Sequence, residues 1–136
     1  MRFEELESWQ QARQLTREIY TLTRSAEIAR DFGLCGQIQR ASVSIMSNIA
    51  EGFERQHIQE KLQFCNVARG SSAEVRSILY VVEDNYPRLS QEAIELREKA
   101  VQTGKLVTGL IRSTESRRSK ATRLLSAIFH LLCPIS

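Results

Sequence analysis

Proline and glycine, the residues that most often end helices and form tight turns, are scarce in this sequence. The 136 residues include only two prolines and six glycines, so long stretches run without a strong helix breaker. A fold of many short strands and turns needs such residues at frequent intervals. Their scarcity therefore favours long helices over a β-sandwich or β-barrel.

Cysteine and histidine are also few, which limits metal and nucleophile chemistry. Cys35, Cys65 and Cys133 are far apart and odd in number, and no C-x-x-C pair or Cys/His ligand spacing occurs. This pattern predicts three buried or half-buried thiols in a reducing compartment. His57 and His130 fall in no Ser/His/Asp or Cys/His grouping, and the sequence has no glycine-rich phosphate loop. We therefore expect no enzymatic activity, no cofactor and no small-molecule substrate.

Long hydrophobic runs are absent as well. The first residues, MRFEELESW, carry acidic side chains and lack the apolar stretch of a signal peptide. No run approaches the roughly 18 apolar residues that a membrane-spanning helix needs. We expect a cytoplasmic protein rather than a membrane protein, with one core in one domain because the chain is too short for two.

Positive charge is distributed unevenly along the chain. The net charge is +3, but residues 1–116 carry 15 Lys and Arg against 16 Asp and Glu. Residues 117–136 carry four cations and no acid, and these cations are Arg117, Arg118, Lys120 and Arg123. The basic character of the sequence therefore lies in its last 20 residues, and the overall charge is no argument that the body binds nucleic acid.

Four long segments repeat apolar residues every three or four positions, the period of a helix with one buried face. They run over about 4–25, 34–54, 58–84 and 90–116. Asp31 is a candidate N-cap for the second segment and Ser90 for the fourth, and Pro87 ends the third. Because the links are short, neighbouring helices are expected to pack antiparallel.

The sequence thus predicts an all-α, antiparallel up-down-up-down four-helix bundle. The bundle domain covers residues 1–116, and a basic and apolar extension with a short extra helix covers 117–136. Three interpretations of the extension stay open: a fifth helix packed on its own oligomer, an amphipathic segment for a membrane surface or partner, and a free end whose cations touch RNA.

The second helix carries apolar residues on two faces. One stripe suits the core, and Val43, Met46 and Ala50 lie on another face. In a four-helix monomer one face of each helix normally stays in water, so the second stripe predicts contact with another subunit.

Small residues of the second and third helices are expected to meet. With a turn near 55–57, antiparallel pairing puts Ala41, Ser42 and Ser44 opposite residues 68–72. Gly70 lies in the middle of the third helix, where glycine lowers helix stability. We expect a close approach of the two helix backbones at Gly70 to offset this cost. The same pairing predicts an interhelical ion pair of Arg40 with Glu74, and it places Glu51 near Lys61.

Those two helices carry the clearest motif of the chain. It comprises QI-x-RA from Gln37, SI-x-SNIAEG, the trailing Arg55 and the later A-x-GS-x-x-E, preceded by F-x-x-L-x-x-W-Q from Phe3 and by FGL. Over residues 3–115 this pattern resembles the four-helix bundle proteins encoded in intervening sequences of bacterial 23S rRNA. The sequence departs from the family at Met46, where many relatives have proline, and in the extension, which continues past the usual end of such proteins.

The resemblance implies a four-helix protomer that assembles as a barrel-like homopentamer. Related bundles, the accessory variability determinant proteins, serve reverse transcriptases of diversity-generating retroelements. Nucleic-acid binding is the activity usually suggested for the family, and no catalytic residues are assigned.

Two sets of residues are candidates for function. The first is a polar set within the family motif, which is either structural or a binding patch repeated around an oligomer: Asn48, Glu51, Gly52, Gly70, Ser71 and Glu74. Within it, Asn48 is expected to cap or cross-link helices, and Glu51 to pair with Arg55 one turn away. The second set could meet phosphate: Arg40, Arg55, Arg69, Arg117, Arg118, Lys120 and Arg123.

Two functions therefore remain open for the chain. One is a non-enzymatic oligomer that binds RNA or a ribonucleoprotein. The other is a protein–protein scaffold or accessory subunit, for example of a reverse transcriptase.

Overall fold

The computed structural model describes residues 1–133, and all regular secondary structure in this part of the chain is helical. Four α-helices account for most of it: α1 (Glu7–Thr23), α2 (Phe32–Glu54), α3 (Ile58–Asn85) and α4 (Ser90–Leu132). Short 3-10 turns at Phe3–Glu5 and Pro87–Leu89 precede α1 and α4. The described residues contain no strand.

Each helix packs on its neighbours in chain order, and α4 also packs on α1. Between α2 and α3 the contacts run in opposite order along the two helices. Lys61 Nζ donates to the carbonyl of Phe53 at 2.8 Å, the hydroxyls of Ser44 and Ser71 lie 2.8 Å apart, and the Tyr86 hydroxyl reaches Asp31 at 2.7 Å. Residue numbers fall along α2 as they rise along α3, as expected for antiparallel neighbours.

The apolar stripes predicted from the sequence meet in one core between the four helices. Fully buried side chains come from each helix, and the largest include Leu15, Ile19, Ile38, Ile45, Ile49, Leu79 and Val107. Ile28, in the link between α1 and α2, is also buried. Of the three thiols, Cys35 and Cys65 are buried as predicted, whereas Cys133 is exposed.

Local sequence signals correctly place the start of α2 and the end of α3, but the cap predicted for α4 is not formed. Asp31 caps α2 by accepting a hydrogen bond from the Leu34 amide at 3.2 Å, and α3 ends just before Pro87. Ser90 was predicted as an N-cap, but it is the first residue of α4 and makes no capping bond. The Pro87–Leu89 turn feeds directly into α4 with Leu89 at the cap position, so this start needs no serine cap.

The fourth helix does not end near residue 116. It continues to Leu132 as one helix of 43 residues, so the predicted short extra helix is a continuation of α4. Every residue from Glu115 to Cys133 is exposed. We call residues 117–133 the α4 extension. The prediction that residues 134–136 belong to it lies outside the described residues.

Candidate nucleic-acid interface

The polar motif of α2 is used within the fold. The Asn48 amide donates to the carbonyl of Ser44 at 2.8 Å and to its hydroxyl at 3.0 Å, and that hydroxyl meets Ser71 of α3. Asn48 thus contributes to an α2–α3 cross-link through Ser44. Ser71 is itself buried, and Ser44 and Asn48 are half-buried.

Gly52 lets α2 and α3 approach closely near their shared turn. A Cβ at this position would lie 3.0 Å from the Phe64 Cβ and 3.4 Å from the backbone carbonyl of Lys61. The Lys61 ammonium binds the carbonyls of Gly52 and Phe53, where the helix dipole favours a cation. The Arg55 guanidinium lies 4.7 Å from the centroid of the Phe64 ring.

Two ion pairs expected around this motif, Arg40 with Glu74 and Glu51 with Arg55, are not formed in the described part of the chain. Arg40 makes no ion pair with Glu74, and both are exposed. Glu51 pairs with neither Lys61 nor Arg55, because Lys61 binds backbone carbonyls and Arg55 lies over an aromatic ring. Long side chains on an exposed helix surface gain little from an ion pair and lose rotamer freedom in making one.

The role predicted for Gly70 is also wrong within the chain. Gly70 is exposed, and a Cβ there would meet nothing within 4 Å. The residue that instead brings α3 and α4 together is Gly104, whose Cβ would lie 3.1 Å from the Ser72 hydroxyl. Ser72 in turn donates to the Ala100 carbonyl at 2.8 Å.

This close approach forms the floor of a groove between α3 and α4. The groove has a volume of about 630 Å³, and its floor and walls are small or apolar: Ser72, Ala73, Ala100, Val101, Gly104 and Thr108. Four cations complete its lining, Arg69 and Arg76 from α3 and Lys105 and Arg112 from α4. We call this the cationic groove.

Among the residues that the structure describes, no acidic side chain lines the cationic groove. Its four cations form no salt bridge within the described residues. Arg69 has one neutral partner, the Asn66 side-chain oxygen at 3.1 Å. The groove is therefore a local region of positive potential on a body whose summed charge is slightly negative.

Four other cations of the described body form ion pairs with acids, and two of these pairs involve α4. Arg97 pairs with Glu83 and stacks on Tyr80, and Lys99 pairs with Glu18. The groove between α1 and α4 has the opposite character to the cationic groove, since Lys99 is the single cation there and three glutamates, Glu18, Glu92 and Glu95, line it.

The α4 extension continues the positive surface. Arg123 lies 18 residues beyond Lys105, which is five full turns, so the two side chains leave α4 on the same face. Arg112 lies between them, close to that face. Arg118 donates to the Gln59 side chain of α3 at 3.1 Å, and Arg117 to Thr114 at 3.3 Å.

The structure thus brings one predicted phosphate-binding candidate, Arg69, into the cationic groove. Arg40 lies on α2 beside Tyr20 and Gly36, and Arg55 directly follows α2 at its turn to α3. Sequence reasoning missed Arg76, Lys105 and Arg112 because it summed charge along the body. A signal was present, since Arg69 and Arg76, like Lys105 and Arg112, are seven residues apart and share a helix face.

Chemistry beyond charge is limited at this groove. It contains no histidine, cysteine or carboxylate, and the Ser72 hydroxyl is donated to a backbone carbonyl. Among the described residues no three His, Cys, Asp or Glu side chains are grouped to hold a metal ion. None of the described helices is both long and apolar enough to cross a membrane.

The fold and groove define an all-α protein whose helices pack in sequence order and whose surface presents a basic cleft. Residues 4–109 match the family model described as the 23S rRNA-intervening sequence protein, and the chain belongs to this family. The resemblance seen in the SNIAEG region is thereby confirmed. No curated protein matches the chain.

The family match ends inside α4. It includes Arg69, Arg76 and Lys105, and it ends three residues before Arg112. The whole α4 extension lies outside it. The positive surface is therefore partly a property of the family region and partly of this chain's own C-terminal sequence.

Proposed function

We propose that this protein is a non-enzymatic, cytoplasmic RNA-binding protein whose protomer is an antiparallel up-down-up-down four-helix bundle. Its ligand is structured RNA or a ribonucleoprotein. The observation that carries the proposal is the cationic groove, where four cations line one cleft without an acid. Phosphate oxygens are the ligands that guanidinium and ammonium groups bind best in nucleic acids.

The groove suits the backbone of RNA better than its bases. Binding of single strands relies on aromatic rings on which bases stack, and no aromatic side chain lines the cleft. The ring of Tyr80, one turn beyond Arg76, carries the Arg97 guanidinium 3.9 Å from its centroid. Helical RNA is recognised mainly through its shape, its phosphates and its 2′-hydroxyls, which fits a groove of cations and small polar residues.

A single groove provides only a few phosphate contacts, so affinity is expected to depend on assembly. A homo-oligomer, the pentamer that the family resemblance implies, would present one groove per chain to the same RNA and gain avidity. Val43 supports a subunit contact on α2 because it is an exposed apolar side chain. The cations of the α4 extension would add to each groove.

The test of RNA binding is the salt dependence of affinity for a ribosomal RNA hairpin. Replacing Arg76, Lys105 and Arg112 together by glutamine is expected to weaken binding and to reduce the slope of log K against log salt by about 2–3, since each phosphate contact contributes about 0.7–0.9. The matched control is Arg30→Gln, which removes an exposed cation from the α1–α2 link.

Equal salt slopes for the wild type, the triple variant and the control would rule out the groove as the phosphate site. Absence of binding at low salt would reject RNA binding altogether. Circular dichroism should show unchanged helicity in the triple variant, because the three side chains are exposed.

The second candidate function is a protein–protein scaffold or accessory subunit. Exposed apolar residues on α3 favour it, since Val67 and Val81 lie with Gly70 on the outer face of that helix. An accessory subunit should retain its partner after nuclease treatment, whereas an RNA-tethered partner should be lost. The genomic neighbourhood gives a further test, because an accessory role predicts an adjacent reverse-transcriptase gene and the first proposal predicts a ribosomal RNA gene.

A further inference from the structure

The core-facing stripe of α4 continues into the α4 extension, past the point where other helices cover it. Within the bundle this stripe includes Ala100, Thr103, Val107 and Thr114, all buried. A step of seven residues, about two turns, leads from Thr114 to a second set on the same face, whose members are four, three and four residues apart: Ala121, Leu125, Ile128 and Leu132. We call this set the distal stripe.

Nothing in the described part of the chain packs on the distal stripe. Leu125 is 67% exposed and Leu132 is 76% exposed. Further apolar side chains flank the stripe, and Phe129 and Leu131 are exposed as well. A contiguous apolar face of this kind, left exposed on a helix, marks an interaction surface.

The spacing of the distal stripe is symmetric. Its steps of four, three and four residues read the same in both chain directions. If two copies of the extension lie antiparallel, Leu125 of each chain meets Ile128 of the other and Ala121 meets Leu132. Large side chains thus meet at the centre, and a small one faces a large one at each end, as in the heptad packing of coiled coils.

The distribution of charge along the extension also favours antiparallel pairing. The cations of the extension all lie between residues 117 and 123, and the described residues from 124 onward carry no acid, lysine or arginine. A parallel pair would place eight cations side by side. An antiparallel pair overlaps the uncharged halves and places Lys120 and Arg123 near the C-terminal end of the partner's α4, where the helix dipole is negative.

The length of the α4 extension is also sufficient for this pairing. An antiparallel overlap of residues 121–132 spans about 18 Å, and its end lies about five residues beyond Ser116, where the bundle ends. The partner helix would therefore not collide with the α2–α3 turn, which lies at this end of the bundle. We propose that two copies of this chain associate through antiparallel pairing of their α4 extensions, with the distal stripe as the interface.

The distal stripe shares no residue with the α2 surface or with the cationic groove, so the pairing of extensions and RNA binding at the groove fail independently. The test is the mass of the full-length protein by light scattering over a series of concentrations. Replacing Leu125 and Ile128 together by glutamate is expected to halve the mass, whether the bundles are single or already form a ring. Ala127→Glu, on the opposite side of the helix, should leave the mass unchanged.

Cross-linking tests the orientation of the pair. Thr122→Cys and Phe129→Cys are made separately, each in a chain with Cys133→Ser, so that each chain has one exposed thiol. Antiparallel pairing places residue 122 near residue 129 of the partner. A short bis-maleimide should then give cross-linked dimers mainly when the two variants are mixed. Similar yields from each variant alone would overturn the antiparallel pairing.

An unchanged mass in the Leu125/Ile128 double variant would overturn the proposal. A second overturning result comes from flotation with phosphatidylserine vesicles: wild-type protein that floats, with a mass that never exceeds that of the double variant, would show that the stripe serves a lipid surface instead. Loss of mass in the double variant together with mixed cross-links would establish the pairing.

Discussion

Asp31 accepts hydrogen bonds from two parts of the chain. One carboxylate oxygen caps α2 through the Leu34 amide, and the other accepts the Tyr86 hydroxyl at the end of α3. Cys35 lies close by, and burial, followed by the Asp31 charge, raises the pKa of its thiol. The sequence predicted Asp31 as a cap, but no pattern predicted Tyr86 as its second partner, because the two residues are 55 positions apart.

The hydrogen bond to Asp31 raises the pKa of Tyr86 above its usual value of about 10. A group with a raised pKa in the folded state contributes stability below its unfolded pKa and loses it as pH rises through the folded one. Tyr86→Phe is therefore expected to lower the free energy of unfolding at pH 7. The difference from wild type should shrink above about pH 10, as measured by urea denaturation across pH. A difference that stays constant to high pH would contradict this role.

At the scale of the helices, glycines decide how closely neighbours pack. Gly52 and Gly70 both belong to the family motif, and the sequence predicted the close approach at Gly70. The structure places it instead at Gly52 between α2 and α3 and at Gly104 between α3 and α4. Residue spacing indicates that a glycine lies within a helix, but which glycine faces a neighbour depends on how the helices are rotated.

These two motif glycines give opposite predictions for alanine. Gly52→Ala is expected to destabilise the fold by about 1–3 kcal/mol, because its Cβ would press on the Phe64 Cβ and on backbone. Gly70→Ala is expected to stabilise an isolated chain by up to about 1 kcal/mol, because alanine is the better helix former and the site is open. Thermal and urea unfolding measure both.

The outcome for Gly70 also reports on its surroundings in the assembly. If Gly70→Ala raises stability yet reduces oligomer mass or partner binding, an external backbone lies against this site. If Gly70→Ala lowers the stability of the monomer, the conclusion that the space around Gly70 is open would be wrong.

On the scale of the whole molecule, the arrangement of helices separates positive and negative surfaces. The seam between α3 and α4 gathers cations from two helices, while the seam between α1 and α4 gathers acids. When charge is summed along the sequence, the positive charges of one surface and the negative charges of the other cancel. Only the packing of α4 against both neighbours keeps them apart.

Assembly is also a property of the whole molecule, and it can be tested on α2. Met46 packs against the core, so a charge there would disturb the protomer as well as an interface. Val43 is the better probe because it is 40% exposed. Val43→Asp is expected to reduce the oligomer mass while leaving helicity unchanged, as measured by light scattering and circular dichroism.

A matched control is Ile94→Asp on α4, where the apolar side chain is equally exposed at 40%. Its mass should equal that of the wild type. A mass that does not change with Val43→Asp would show that this face of α2 is not a subunit contact.

The sequence by itself determined the helices and the family. Apolar periodicity, the Asp31 cap and Pro87 defined where α2 and α3 lie, because these signals act within one or two turns of the chain. The SNIAEG region carried the family assignment because it is a local motif. The end of α4 was predicted wrongly because most of residues 115–123 are good helix formers, Glu, Arg, Lys and Ala, and loss of packing does not by itself end a helix.

The tertiary structure decided which side chains meet. It brought Arg69 and Arg76 together with Lys105 and Arg112, and it left Arg40 and Glu74 apart. Such contacts depend on the rotation and depth of each helix against its neighbour, which are set by small residues such as Gly104 and by the fit of the whole core. A pattern along one helix does not contain that information, so the cationic groove became visible only once α3 and α4 were packed.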